Sequence, residues 1–319
     1  MDKIKQGMRR RLTRYGDDEF ALFLRKSFIK GLGYGDAALD KPVIGIINTA
    51  SDFNSCHGNV DELVQCAKAG VLAAGALPLA FPTISLHESF AYPTSMYLRN
   101  LMAMDTEEMM KALPLDGCIL IGGCDKTVPA QIMGALSARL PFVQLVSGPM
   151  LTGSFFGERV GACADCRRLW AQYRAGDLDD AAIAEANNQL VPTIGTCGVM
   201  GTASTMALIA ETLGLMLDGG ACAPAVSADR RRIAETTGHL AVDMAARDFA
   251  PAGFLTMGSF ENAMRVLLAV GGSTNAIVHL AAMAGRMGIR LDLDRLDALG
   301  RDTPVIVDLK PSGDGYMED

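Results

Sequence analysis

An α/β fold is expected for this chain, a three-layer α/β/α arrangement around a mostly parallel sheet. Two observations predict it. Short β-branched runs alternate with longer segments of helical periodicity, and the strand-like runs are apolar throughout, as in strands covered on both faces. Composition supplies the core: of 319 residues 50% are hydrophobic and 20% charged, enough for one large or two ordinary domains.

The elements follow in order. Residues 42–49 (PVIGIINT) form a β-branched run closing on polar residues. In 59–75, Val60, Leu63, Val64, Ala67, Val71 and Leu72 fall at helical spacing, completing a strand, loop and helix unit. A second strand is expected over 77–84. Over 95–113, Met96, Leu98, Leu101, Met102, Met109 and Met110 mark a helix, with Asp105 and Glu108 placed like a second helix start. Residues 117–121 (GCILI) read as a fully buried strand, 127–140 as the helix after it and 141–147 as another strand. The acidic, alanine-rich 175–188 is a surface helix opened by Asp177, and 202–213 is a helix behind a glycine-rich turn. Residues 253–257 and 271–275 frame a further helical region, 291–296 is a short amphipathic segment, and 304–309 is a strand. Residues 312–319 are turn-like, with no element to close the fold. There is no internal repeat, low-complexity tract or long linker.

A net charge of −7 and a pI near 5.2 argue against a nucleic-acid surface, and Arg9, Arg10 and Arg11 are balanced by Asp17, Asp18 and Glu19. Residues 1–14 are basic and polar with no apolar leader core behind them. The longest apolar run, 69–84, is broken by Gly70, Gly75, Pro78 and Pro82 and falls short of the roughly 20 residues of a membrane span. A cytoplasmic chain without a membrane or nucleic-acid partner is expected. In that reducing setting eight cysteines are thiols or metal ligands rather than disulfides.

In doubly covered sheets, function gathers at the carboxyl ends of strands, which puts 48–56, 85–88 and 122–126 on one rim. Three cysteines stand among glycine and small polar residues: Cys56 in Asn54-Ser55-Cys56-His57-Gly58, Cys124 in Gly122-Gly123-Cys124-Asp125-Lys126, and Cys197 in Gly195-Thr196-Cys197-Gly198. At Cys124 a soft thiolate precedes a carboxylate and an amine, the ingredients of a second, hard-metal site, which suggests an iron-sulfur cluster beside Mg²⁺. Cys197 lies ahead of a helix whose dipole favours a thiolate. Each assignment has a plainer rival. Cys56 and Cys197 alone read as buried structural thiols. Asp125 could cap a helix, although Lys126 is unfavourable there, and Glu88 could be a surface carboxylate. His57 and His87 are candidates for substrate contact or proton transfer, or for hydrogen-bonded support of the site. Cys66, Cys118 and Cys222 read as core, and His239 and His279 as structural. Cys163-Ala164-Asp165-Cys166 is a candidate redox or zinc half-site lacking a second pair.

Residues 52–58, 122–129, 195–206 and 271–280 (GGSTNAIVHL) resemble the dihydroxy-acid and sugar-acid dehydratase family, which includes phosphogluconate, arabinonate and xylonate dehydratases. The likeness covers essentially all of the chain. It implies that 1–319 is the family's N-terminal, iron-sulfur and Mg-binding domain, with the family's C-terminal β-barrel-like domain absent from this chain. It further implies that Cys56, Cys124 and Cys197 hold a [2Fe-2S] cluster with one open iron position, and that Glu88, Asp125 and a carbamylated Lys126 hold Mg²⁺. The implied reaction is a hydro-lyase dehydration of a polyhydroxy carboxylate to a 2-keto-3-deoxy acid. The family's base, a serine, and a further glutamate ligand belong to the C-terminal domain, so very low activity is expected of this chain alone. In the family, a glutamate in the place of Glu88 accompanies sugar-acid substrates. A branched-chain dihydroxy-acid dehydratase, a non-catalytic dimerisation module and a zinc or thiol-redox protein built on Cys163 and Cys166 remain alternatives. Thr202 to Thr205 are expected to line the cluster pocket, and Ser273, Thr274 and Asn275 to shape an inter-domain or subunit surface. The family implies a homo-oligomer, a dimer or a tetramer.

Overall fold

Strands whose successive side chains are all apolar need cover on both faces, and that requirement organises this chain. The computed structural model describes residues 6–319, so the first five residues of the basic stretch 1–14 lie outside the described residues. Two helices, α1 (Asp18–Lys30) and α2 (Asp36–Leu39), lead into β1 (Val43–Asn48), α3 (Val60–Ala73), β2 (Leu77–Pro82), α4 (Arg99–Ala112), β3 (Gly117–Gly122), α5 (Thr127–Ala138) and β4 (Phe142–Val146). The four strands pair in parallel in the order β2-β1-β3-β4. A short hairpin, β5 (Gly153–Phe155) and β6 (Glu158–Val160), then precedes α6 (Asp165–Ala175), α7 (Asp180–Leu190), α8 (Thr202–Thr212), α9 (Ala228–Ala246), α10 (Met257–Ala269), α11 (Asn275–Arg286) and α12 (Leu293–Asp302).

Pleating sorts the core into two layers. Val43, Ile47, Leu120 and Phe142 bury themselves with α4 and α5, while Ile44, Ile46, Ile119 and Leu145 pack with α3 and α9. The expected α/β architecture is therefore present, with one addition. The α5 sequence, TVPAQIMGALSA, carries no charge, and a helix apolar all round must be covered outside as well. Helices α8 and α11 supply that cover, adding a helical layer beyond the expected three.

Helix α9 has no counterpart among the sequence expectations, because small residues rather than large apolar ones make its contact. A Cβ on Gly70 of α3 would meet the Glu235 carbonyl oxygen at 1.9 Å, and one on Gly238 would meet the Ala67 carbonyl at 2.4 Å. Other expectations need correction. Helix α4 is continuous, and Asp105 does not cap a second start: its carboxylate accepts from the Ile84 N–H at 2.8 Å. The surface helix expected over 175–188 is α7, opened by Asp179, whose side chain accepts from Ala182 N–H at 2.8 Å. The preceding helix, α6, closes on Gly176 at φ 86°, a left-handed cap that glycine adopts freely.

Residues 304–309 make no strand; Leu309 only bridges to Gly315, and the Asp308 carbonyl accepts from Gly315 N–H at 3.0 Å. The turn-like 312–319 is tied down, with Tyr316 buried and Met317 N–H donating to the Gly198 carbonyl at 2.8 Å. Cys118 is core, Cys66 is half-buried, and Cys222 is exposed rather than core. Among the described residues no helix is long and apolar enough to cross a membrane.

Candidate metal centre

The connection from β1 leaves toward one edge of the sheet and that from β3 toward the other, so a crevice opens between their carboxyl ends. The loop after β1 carries Cys56 and His57 in a short 3-10 turn, Ser55–His57. The loop after β2 carries His87 and Glu88, and the loop after β3 carries Gly123 to Lys126 into α5. Cys197 comes from much later in the chain, held by a bridge between Pro149, just past β4, and Thr196. Gly195, at φ 123°, donates its N–H to the Ser55 carbonyl at 3.1 Å, which ties the Cys197 loop to the Cys56 turn.

His57 joins the loops from behind. Its Nδ1–H donates to the Thr49 carbonyl at 2.8 Å, leaving Nε2 to accept the N–H groups of Gly123 at 2.9 Å and Cys124 at 3.0 Å. Burial, reinforced by neighbouring His87 and opposed by the bond to Thr49, brings its pKa down to about 4. The ring is therefore neutral with a fixed tautomer and both nitrogens engaged, which makes His57 a support for the Cys124 loop. Gly123 makes room for a buried side chain: a Cβ there would stand 1.8 Å from Ser147 Oγ and would have to displace it.

The loops enclose a cleft of about 680 Å³ lined by Cys56, His87, Glu88, Cys124, Asp125 and Cys197. The donor atoms of Cys56, His87 and Cys124 lie within 4.8 Å of one another. The Cys56 thiol is pushed well up by its contact with Cys124, by burial and by the nearby Cys197 and Asp125. Its counterpart Cys197 is raised likewise by Cys163, burial and Cys124. Thiols crowded in this way resist ionising together, and a cationic centre relieves that resistance, so the donor set fits an iron-sulfur cluster.

The hard-metal residues are adjacent. Lys126 is only 5% exposed, and its Nζ stands 2.7 Å from Asp125 Oδ2 and 3.3 Å from Glu88 Oε2. Burial lowers its pKa, but the two carboxylates prevail and raise it. Burial likewise opposes ionisation of Glu88, yet the hydroxyls of Ser95 and Thr94 and the Lys126 ammonium hold its carboxyl below the usual range. As an ammonium, Lys126 itself neutralises these carboxylates and would repel a divalent ion. As a carbamate it would present an anionic oxygen, and the three groups together would then suit Mg²⁺.

His87, half-buried, accepts from Ser89 N–H through Nδ1 at 3.2 Å. Burial lowers its pKa against the pull of Asp125 and Glu88. His279 is fully buried beside Arg99, and burial together with the charges of Arg99 and Lys126 brings it down to about 3. His239 is exposed on α9. Thr202, Ala203 and Ser204 line the cleft, and so do Ser273, Thr274 and Asn275, the residues expected to shape an inter-domain or subunit surface. Thr202 Oγ1 lies 2.8 Å from Ser273 Oγ and accepts from Asn275 Nδ2 at 3.2 Å, joining the first turns of α8 and α11.

Arg167 lines the cleft without any local signal in the sequence, and Cys163 lines it with a partner other than the one expected. Cys163 is visible in the sequence, but its CxxC spacing points to the wrong partner. Cys166 lines a separate cavity with Leu169 and Trp170, whereas Cys163 Sγ lies 2.8 Å from Cys197 Sγ.

Known proteins resemble this chain over nearly all of its length. The family model described as dihydroxy-acid/6-phosphogluconate dehydratase N-terminal matches residues 41–319. The chain is 45% identical over 306 residues to an L-arabinonate dehydratase of Rhizobium leguminosarum bv. trifolii, covering 96% of this chain and 53% of the relative. It is 40% identical over 306 residues to a 6-deoxy-6-sulfo-D-gluconate dehydratase of Pseudomonas putida, with 96% and 53% covered. A dihydroxy-acid dehydratase of Natronomonas pharaonis is 35% identical over 299 residues, with 92% and 50% covered. The chain thus spans about half the length of the curated relatives it matches.

Proposed function

Because the chain belongs to the dihydroxy-acid/6-phosphogluconate dehydratase family, we propose that it supplies the metal-holding half of a hydro-lyase. The reaction in this reading is dehydration of a 2,3-dihydroxy carboxylic acid, a sugar acid, to a 2-keto-3-deoxy acid. The observation that carries it is convergence: soft donors Cys56, Cys124 and Cys197 share one cleft with Glu88 and Asp125, and Lys126 bridges those two carboxylates. When bound, a [2Fe-2S] cluster on the three cysteines and Mg²⁺ on Glu88, Asp125 and carbamylated Lys126 supply the Lewis acidity for loss of a hydroxyl.

The chain's own residues bind and orient. Arg167 and the N-terminal turns of α8 and α11 line the cleft and offer a substrate carboxylate a cation and the positive ends of two helix dipoles. His87, with Nδ1 already accepting, carries its neutral-ring proton on Nε2 and serves as a donor to a substrate oxygen. The acceptor for the C2 proton is assigned to the part of the relatives' length that this chain does not span. Glu88 at the cleft, and identities of 45% and 40% to sugar-acid enzymes against 35% to a dihydroxy-acid dehydratase, favour a sugar acid. A reducing, cytoplasmic setting and a homo-oligomer belong to the same proposal.

The test is anaerobic reconstitution of wild type and Cys124→Ser with iron and sulfide, followed by iron and acid-labile sulfide assays and visible spectra. Wild type is expected to be coloured and the variant to lose iron. Aldonic acids should perturb the wild-type spectrum more than a branched-chain dihydroxy acid does. A colourless, iron-free wild type would overturn the reading.

A further inference from the structure

We propose that Cys163 and Cys197 form a reversible redox pair, joined by a hydroperoxide into a disulfide that withdraws Cys197 from the cleft's thiol set. The withdrawal from metal binding rests on the function proposed above; the disulfide does not. Four observations carry it. The two Sγ atoms are 2.8 Å apart, so a bond of about 2.05 Å needs an approach of less than about 1 Å. Cys163 is exposed and lines the cleft, so a small oxidant reaches it directly.

The third observation is the backbone. Cys163 sits at φ 71°, a left-handed conformation that is unfavourable for a non-glycine residue and persists where its surroundings impose it. Those surroundings are the fourth. The buried Asp165 carboxylate accepts from Gly161 N–H at 3.0 Å, from Tyr316 Oη–H at 2.8 Å and from Lys310 Nζ at 3.2 Å, while Ala162 N–H donates to the Leu190 carbonyl at 2.8 Å. The Cys163 loop is pinned on either side and aims its thiol at Cys197, which the Pro149–Thr196 bridge holds in turn.

The chemistry balances with hydrogen peroxide as oxidant. Cys163 sulfur attacks one peroxide oxygen, the O–O bond breaks, and the leaving hydroxide takes the thiol proton as water, leaving a sulfenic acid. Cys197 sulfur then attacks the Cys163 sulfur; the S–S bond forms, the S–O bond breaks, and the oxygen departs with the Cys197 proton as a second water. Two thiols are oxidised and one peroxide is reduced. A dithiol reductant reverses the product.

The experiment uses the full, metal-free chain, reduced, desalted, exposed to hydrogen peroxide, alkylated and digested with trypsin without reduction. The fragment 160–167 holds both Cys163 and Cys166, and the fragment 175–230 holds both Cys197 and Cys222, so variants resolve the pairing. A cross-linked fragment pair, lighter by two hydrogens, is expected in wild type, Cys166→Ser and Cys222→Ser, and is lost in Cys163→Ser. Its absence from wild type, or its persistence in Cys163→Ser, overturns the proposal. Iron uptake should be lost in the cross-linked chain and return with dithiothreitol, and uptake by Cys163→Ser should be indifferent to peroxide. Uptake unaffected by the cross-link overturns the withdrawal of Cys197. A chain that takes up no iron even when reduced refutes the metal reading and leaves the cross-link standing.

Discussion

Lowering the pH from 7 to 5 should destabilise this fold through His57, and replacing His57 should remove that part of the loss. The buried imidazole titrates at about 4, against about 6.5 for a solvated histidine. As the pH falls through about 6.5 the unfolded chain takes up a proton there, while the folded chain does not until about 4. Acid therefore favours the unfolded state across that window, and the stabilisation from the neutral ring is fully present only above it. At about 1.4 kcal/mol per pH unit, the His57 contribution amounts to about 2 kcal/mol lost by pH 5 and about 3 kcal/mol by pH 4. The assay is urea unfolding of wild type and His57→Gln at both pH values, followed by far-ultraviolet circular dichroism. Fluorescence is a poor probe, because the single tryptophan, Trp170, is exposed on α6. Groups other than His57 cancel in the difference between proteins, so the acid-induced loss should be smaller by about 2 kcal/mol in the variant. The variant should also be weaker at pH 7 by about 1–3 kcal/mol, because the Gly123 and Cys124 N–H groups lose their acceptor. Equal acid-induced losses in the two proteins would show that the His57 ring does not set this pH dependence.

Three further outcomes follow from other contacts. Lys126→Met removes the cation between Asp125 and Glu88, both partly solvated, and should cost about 1–2 kcal/mol in denaturation; the carbamate carbon signal expected from ¹³C-bicarbonate-treated wild type should be missing from its NMR spectrum. Gly123→Ala drives a methyl into Ser147 and should cost about 2–3 kcal/mol, part of which returns in Gly123→Ala/Ser147→Gly on thermal denaturation. Asp165→Asn weakens the anchor of the Cys163 loop and should cost about 2 kcal/mol while quickening alkylation of Cys163, measured by timed mass spectrometry.

The sheet and its flanking helices were legible because β1, β3 and β4 are continuous apolar runs, a signal set by burial on two faces. The convergence of the Cys56, Glu88 and Cys124 loops followed from parallel strand order alone. Helix α9 was hidden, since Gly238 and the small residues around it earn their place by close backbone approach, which leaves no large-residue period to read. The contact of Cys163 with Cys197 was hidden for a different reason: the nearer cysteine in sequence faces another cavity, and no local spacing rule encodes a meeting across 34 residues. Sequence likewise offered two roles for His57; only the backbone donors of Gly123 and Cys124, brought by a neighbouring strand, distinguish support from chemistry.

The tie between Gly195 N–H and the Ser55 carbonyl has a bearing on biosynthesis. A ribosome delivers Cys56 and Cys124 well before Cys197, and the third thiol reaches them only after the hairpin, α6 and α7 have emerged and the Thr196 bridge has closed onto the edge of β4. Closing so long a loop is among the later events of folding. During synthesis the nascent chain thus holds Cys56 and Cys124 without Cys197, and the three thiols share one cleft only once the chain has been made past Thr196 and the Pro149–Thr196 bridge has closed.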